Sequence, residues 1–189
     1  MLLQLSLKKT LRFLTIIWLS FNLCLISSSI QAKPKYQFNN ALLKIKFSPV
    51  APEKIAAFYE GRGFSRPMIN ILKQHCFITI GIHNKSNDII WLDISNWLFT
   101  NKTGPIKRIN RTQWKSVWKE MNIPLAHQST FRWTLLPEQL DFRSNEHEGG
   151  NITLPYSKHP FTLTAEFRTK ADKSGKPIKV KLQGIQCAN

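Results

Sequence analysis

Strict alternation of apolar and polar residues is the most frequent pattern along the chain. It occurs in five segments, residues 43–47, 76–82, 131–135, 161–167 and 178–182. A period of two places the apolar side chains on one face of a strand and the polar ones on the other. Clusters of turn-forming residues separate these segments. Many short strands punctuated in this way predict a mainly β chain, an antiparallel β-sandwich of the immunoglobulin-like type.

An insertion of two helices is predicted near residues 52–75. Pro52 suits the first position of a helix, because the N–H that it lacks has no partner within a helix. Gly61 ends this first helix, and Ser65 has the short oxygen-bearing side chain of an N-cap for a second one. A further short helix is predicted near residues 112–121.

Residues 1–32 have the order of a secretory signal peptide, and residues 33–189 are predicted to form one domain. Three basic residues precede an apolar run over residues 13–26, and small residues follow before a predicted cut after Ala32. The run is shorter than the roughly 20 residues that a membrane-spanning helix needs. We therefore expect a periplasmic or secreted protein, with an uncleaved anchor as the alternative.

Cysteine usage favours the same compartment. Cys24 belongs to the predicted signal, which leaves Cys76 and Cys187 as an even pair for a disulfide in an oxidising environment. In the last strand, Ile178, Val180 and Leu182 face inward, and strict alternation would place Cys187 on the opposite face. A bulge at Gly184 would turn Cys187 inward again. With that bulge the bridge closes a loop of 111 residues. The lower entropy of the cross-linked unfolded chain then stabilises the fold by about 4–5 kcal/mol.

Net charge narrows the choice of partner. The chain has 27 Lys and Arg against 11 Asp and Glu, and three of the basic residues belong to the predicted signal, which leaves a net charge of +13. A basic domain commonly binds nucleic acid, but DNA and RNA are not the ordinary polyanions outside the cytoplasm. We therefore expect no nucleic acid, and instead an envelope protein or an anionic polymer or lipid surface. A solvated basic surface without a partner is the alternative.

The richest candidate binding surface is the segment of residues 107–119, in which basic residues are frequent and acids are absent. Trp114 and Trp118 fall on one helical stripe and interleave with the cations. Such cations pair with anionic head groups while indoles lie at the boundary of the interface. In the alternative, the tryptophans pack on the sandwich and the cations form the solvated back of the helix. The candidate binding residues are Lys107, Arg108, Arg111, Lys115 and Lys119.

A second candidate lies in the turn between the two inserted helices. Arg62 and Arg66 flank a glycine-rich turn and can present guanidinium groups to a carboxylate or phosphate. In the alternative, Arg62 pairs with Glu60 or with a backbone carbonyl.

No motif predicts a cofactor or a metal site. Glu146, His147 and Glu148 form the densest ligand-like cluster, but neighbouring residues of a strand point to opposite faces. The chain has no Gly-x-Ser-x-Gly elbow and no cysteine left free by the predicted disulfide. An envelope hydrolase that uses His147, Glu146 or Glu138 is the alternative to a binding protein, and a peripheral membrane-surface protein is a third.

Several short segments resemble an uncharacterised family of exported proteobacterial proteins. The resemblance covers most of the predicted domain and implies bacterial export. Because no activity is known for the family, the resemblance implies no site. The segments are residues 58–64, 76–79, 130–137 and 150–154.

A shorter resemblance bears on the fold. Residues 83–86, followed by residues 89–92, are similar to the strand, Asn turn and strand of immunoglobulin-like accessory domains in bacterial envelopes. Together these features predict an exported, non-enzymatic binding or assembly protein of the bacterial cell envelope, which contacts an anionic or acidic partner through its basic surface.

Overall fold

Two antiparallel β-sheets form the framework of residues 36–189, the part of the chain that the computed structural model describes. The predicted signal peptide, with Cys24, lies outside the described residues. The described part contains ten strands: β1 (Tyr36–Asn39), β2 (Leu43–Val50), β3 (His75–Asn84), β4 (Ile90–Asp93), β5 (Leu98–Asn101), β6 (Gly104–Ile106), β7 (Gln139–Phe142), β8 (His147–Pro155), β9 (Phe161–Thr169) and β10 (Ile178–Ile185).

The two sheets differ in size. The four-stranded sheet has the order β1-β2-β3-β8. The six-stranded sheet has the order β6-β5-β9-β4-β7, and β10 pairs with the other edge of β9. The predicted mainly β, antiparallel class is confirmed, and the immunoglobulin-like strand order within that class stays a prediction.

Apolar residues from both sheets pack into one core. Four of the five predicted strand segments lie within β2, β3, β9 and β10, and their apolar positions face this core. Ile45 lies opposite Ile82 in the first sheet, and Phe167 lies opposite Ile178 in the second. Burial of such a side chain stabilises the fold by about 1.5–3 kcal/mol, so the alternating pattern directs each strand to one face.

Four helices of the described residues form a third layer. They are α1 (Pro52–Glu60), α2 (Arg66–Lys73), α3 (Arg111–Glu120) and α4 (Leu125–Thr134). A second apolar core lies between them and the outer face of the four-stranded sheet, where Phe77 of β3 contacts the rings of Tyr59 and Phe131. The predictions of a two-helix insertion and of a helix near residues 112–121 are therefore confirmed. Ser65 stands at the N-cap of α2, but its side chain makes no capping hydrogen bond.

The prediction of a strand at residues 131–135 is wrong, because this segment is the end of α4 and the residue after it. Phe131 and Leu135 are buried at positions i and i+4, whereas Trp133, which the alternation placed on the same face, is 84% exposed. A spacing of four residues fits both a strand and a helix. Packing of Phe131 against Trp114 and Trp118 selects the helix.

The predicted disulfide is present. Cys76 of β3 is bonded to Cys187 beyond β10, with their Cα atoms 5.4 Å apart. The register of β10 against β9 shifts between Leu182 and Ile185, and Gly184 has a φ of +69° at this bulge. The bridge therefore joins one sheet to the end of the other.

Candidate functional site

A groove of about 370 Å³ lies between α3 and α4 and is called the α3–α4 groove below. Its apolar wall consists of aromatic rings, and three cations line it without any acidic residue. The aromatic residues are Trp114, Trp118 and Phe131, the cations are Arg111, Lys115 and Arg132, and Thr112, Leu125, Gln128, Ser129 and Leu135 complete the lining.

Capping and stacking hold the α3 side of the groove. Asn110 accepts a hydrogen bond from the Gln113 N–H, and the Gln113 side chain accepts one from the Asn110 N–H, which completes a capping box. Trp114 and Trp118 stack with ring centroids 5.1 Å apart, and each is only 1% exposed. The alternative in which these tryptophans pack inward is therefore the observed one.

Glu138 anchors the beginning of α3. Its carboxylate forms a two-pronged ion pair with Arg108 and accepts a hydrogen bond from the backbone N–H of Arg111 over 3.2 Å. The Arg111 side chain donates to the Leu135 carbonyl. Burial and the nearby charge of Arg132 lower the pKa of Arg111, against the opposing effect of Glu138. Since arginine keeps its charge in proteins, the groove holds incompletely neutralised positive charge.

Two buried donors at the groove lack an acceptor. Arg111 Nε and Trp118 Nε1 have no hydrogen-bond partner within the described part of the chain. Buried donors without partners are uncommon in native proteins.

Two large apolar side chains of α4 project into solvent. Leu125, which lines the groove, is 77% exposed, and Trp133 is 84% exposed. Arg132 lies between them in sequence, next to Trp133, and is itself exposed. Leu125 and Arg132 are seven residues apart and therefore share one face of α4, whereas Trp133 lies to the side of it.

The predicted site residues divide into several groups. Arg111 and Lys115 line the groove, whereas Arg108 is held by Glu138 with only 12% of its side chain exposed. Lys107 and Lys119 are exposed but do not line the groove. Arg132 was missed because residues 131–135 were interpreted as a strand. A helical interpretation would have placed it on the face of Leu125.

The turn between α1 and α2 is a separate feature. Arg62 donates to the Phe58 carbonyl over 2.8 Å, and its guanidinium lies 3.5 Å from the centroid of the Phe58 ring. The alternative in which Arg62 pairs with a backbone carbonyl is thus the observed one. Arg66 is exposed at the first turn of α2. Neither arginine lines the α3–α4 groove.

The residues of the hydrolase alternative lie in different settings. Glu138 is engaged by Arg108, and Glu146 accepts a hydrogen bond from the Arg143 N–H over 2.7 Å. His147 stacks on His83, with centroids 3.8 Å apart. Within residues 36–189, no three His, Cys, Asp or Glu side chains are grouped as metal ligands, and no helix is long and apolar enough to cross a membrane.

No protein-family model matches the chain, and no curated protein matches it in sequence. Two solved structures from Bacillus subtilis are similar to part of it. The yjhA protein is 10% identical with a TM-score of 0.37, over 68% of this chain and 75% of that one. The ycdA protein, a candidate lipoprotein, is 11% identical with a TM-score of 0.40, over 78% of this chain and 38% of that one. Likenesses of this size carry no argument about function, which rests on the chain's own geometry.

Proposed function

We propose that this chain is an exported, non-enzymatic binding protein that attaches to an anionic lipid surface through the α3–α4 groove. The observation that carries the proposal is that the groove combines the exposed Leu125 with three cations, Arg111, Lys115 and Arg132. Trp133, which follows Arg132 in sequence, adds a second exposed apolar side chain on α4. An acidic protein or a soluble polymer would need the cations alone. The two apolar side chains favour a partner that has an apolar layer directly beneath its charges.

Each component has a defined place at such a surface. A Lys or Arg near an anionic membrane contributes about 1 kcal/mol, an attraction that salt screens. The Trp133 indole suits the head-group region, where amphipathic rings concentrate in membrane proteins. Leu125 would gain about 2 kcal/mol if its side chain were fully withdrawn from water. The cations that line the groove would pair with phosphate oxygens of the head groups.

Vesicle flotation tests the proposal. The protein is purified in the form that its host exports, and its N-terminus is read by mass spectrometry so that all variants compare the same chain. We expect flotation with phosphatidylglycerol vesicles, little with phosphatidylcholine vesicles, and loss of binding as salt is raised. Equal binding to both vesicle types, or to neither, would overturn the proposal.

Matched variants separate the contributions of charge and apolar surface. The double variant Lys115→Glu, Arg132→Glu should abolish flotation, whereas Lys179→Glu, Lys181→Glu makes the same change in charge on the exposed side of β10 and should not. Leu125→Ser with Trp133→Ser should weaken flotation. Leu98→Ser, which alters an apolar residue 63% exposed on the outer face of the other sheet, should leave it unchanged. Binding to soluble polyglutamate but not to anionic vesicles would replace the lipid surface by an acidic polymer.

A further inference from the structure

The six-stranded sheet has a gap in its hydrogen-bond ladder. One edge of β9 pairs with β5 through residues 161–164 and with β4 through residues 168–169. Residues 165–167 have no ladder partner on that edge, because the chain between β4 and β5 turns away in a short 3₁₀ helix, Ile94–Asn96. The sheet is therefore split on the side of the molecule opposite the helices.

A trough of about 670 Å³ lies beside this gap and is called the sheet trough below. This volume is within the range of about 300–1,000 Å³ that is usual for ligand sites. Glu166 and Arg168 of β9 line one side, and β4 and β7 contribute most of the rest. The other lining residues are Trp91, Leu92, Asp93, Asn96, Gln139, Leu140, Asp141 and Lys173.

The charge balance of the sheet trough is opposite to that of the chain. Three carboxylates, those of Asp93, Asp141 and Glu166, line it against the two cations Arg168 and Lys173, although the whole sequence has more than twice as many basic as acidic residues. Glu166 already pairs with Arg168, with Nε and Oε1 3.3 Å apart. A polyanion is therefore disfavoured here, and the ligand of the α3–α4 groove would not suit this site.

Several lining side chains are already held in position. Trp91 Nε1 donates to the Lys170 carbonyl over 2.8 Å, which fixes the indole. Asp93 accepts hydrogen bonds from the Ser95 N–H and from Gln139 Nε2, each over 3.0 Å. Burial alone would raise the pKa of Asp93, but the hydrogen bonds from Ser95 and Gln139 outweigh it and keep the pKa below its ordinary value. The carboxylate therefore remains an acceptor.

We propose that the sheet trough binds a neutral saccharide. Sugar hydroxyls donate and accept hydrogen bonds at the same time, so they match a site that carboxylates, amides and cations line together with one aromatic ring. The carboxylates of Asp93 and Asp141 accept, Arg168 donates, and the amides of Asn96 and Gln139 do both. The Trp91 ring supplies a flat apolar surface for the C–H face of a pyranose.

Lys173 gives this proposal a distinctive consequence. Its Nζ lies 4.3 Å from the centroid of the Trp91 ring, where a sugar would pack. A saccharide must therefore displace this amine, which belongs to an exposed turn. Lys173→Ala should bind more tightly than the original chain, whereas removal of an ordinary ligand-binding lysine would weaken binding.

The test begins with an array of neutral cello-, malto-, manno- and chito-oligosaccharides, followed by calorimetry with the oligosaccharide that binds best. Trp91→Ala should weaken binding at least about tenfold, the effect expected from loss of one stacked ring. Asp141→Ala, which alters an exposed residue and spares the core, should also weaken it. Trp133→Ala on the opposite side of the domain should change nothing. Failure of every neutral oligosaccharide to bind, or unchanged affinity in both Trp91→Ala and Asp141→Ala, would overturn the proposal.

The outcome is independent of the proposed function. Lipid binding uses α4 and is scored with vesicles, whereas saccharide binding uses the sheet trough and is scored with sugars. Loss of either one leaves the other intact.

Discussion

The indole Nε1 of Trp114 donates a hydrogen bond to Thr153 Oγ1 over 2.7 Å, and this hydroxyl in turn donates to the Ile109 carbonyl over 3.1 Å. Trp114 and Thr153 are both fully buried, with 1% and 0% of their surfaces exposed. This relay ties α3 to the outer face of β8. The wall of the α3–α4 groove is therefore positioned by the sheet beneath it.

Thr153→Val should lower the free energy of unfolding by about 1–3 kcal/mol, because it leaves the Trp114 N–H buried without an acceptor. The substitution preserves the shape of the side chain, so the hydroxyl is what is tested. Urea denaturation measures the change. Thr153→Ser keeps the hydroxyl and serves as the control, and equal stability of the two variants would contradict the prediction.

Gly150→Ala should destabilise the protein by more than about 1 kcal/mol. A Cβ at this position would lie 2.5 Å from the Leu136 backbone nitrogen, and a backbone atom cannot rotate away as the end of a side chain can. A Cβ on Gly81, on the neighbouring strand, would have no atom within 4 Å, so Gly81→Ala should be close to neutral. Thermal unfolding of both variants checks the contrast, and a similar loss in both would show that close approach of Leu136 is not the cause.

Removal of the Cys76–Cys187 bridge should cost about 2–5 kcal/mol of unfolding free energy. The cross-link limits the unfolded chain over a separation of 111 residues. Guanidinium denaturation of the double variant Cys76→Ala, Cys187→Ala measures the loss. Treatment of the original chain with a reductant should reproduce it and should leave the double variant unaffected. A reductant-sensitive double variant would show that the reductant acts elsewhere.

Alkaline pH should remove the contribution of Tyr59 to the stability of the fold. Burial raises the pKa of this phenol to about 12, against the opposing effect of the Arg62 charge. The Thr134 hydroxyl donates to the Phe131 carbonyl, so Tyr59 is the donor in its 2.6 Å bond to Thr134. Ionisation destroys this donor.

The direction of the pH effect follows from proton binding. An unfolded tyrosine titrates near pH 10, so between about pH 10 and pH 12 the folded chain holds a proton that the unfolded chain has lost. The stabilisation that Tyr59 provides is therefore fully present below about pH 10. Roughly 3 kcal/mol of unfolding free energy is lost as the pH rises from about 10 through about 12.

Paired denaturation curves check this effect. The difference in unfolding free energy between the original chain and Tyr59→Phe should shrink between about pH 9 and pH 11.5. A difference for Tyr59→Phe that stays constant over this range would contradict the assignment.

Much of the fold was predictable from local pattern. Period-two alternation located four of the ten strands in the described residues, because a strand with one buried face has apolar residues at every second position. The bulge at Gly184 followed from a change of phase in the same alternation, and the disulfide followed from the even pair of cysteines. Short edge strands such as β6 and β7 leave no comparable pattern, and the sequence did not predict them.

Asn84 shows where local chemistry was correct but incomplete. The sequence marks it as a turn residue, and its Oδ1 accepts from the Ser86 N–H over 2.9 Å. In the fold it is also completely buried, and its amide donates to the Phe142 carbonyl over 3.0 Å. This second contact spans 58 residues, a separation at which no sequence pattern indicates a partner.

The sequence by itself determined four of the strands, three of the four helices in the described residues, the cysteine pair and the excess of positive charge. Only the tertiary structure decided that Phe131 belongs to a helix, that Arg132 joins Arg111 and Lys115, and that Trp133 faces solvent. The physical reason is that five residues of alternation fit either period. The choice depends on what lies opposite, and here Trp114, Trp118 and Tyr59 surround Phe131 with rings contributed by two other helices.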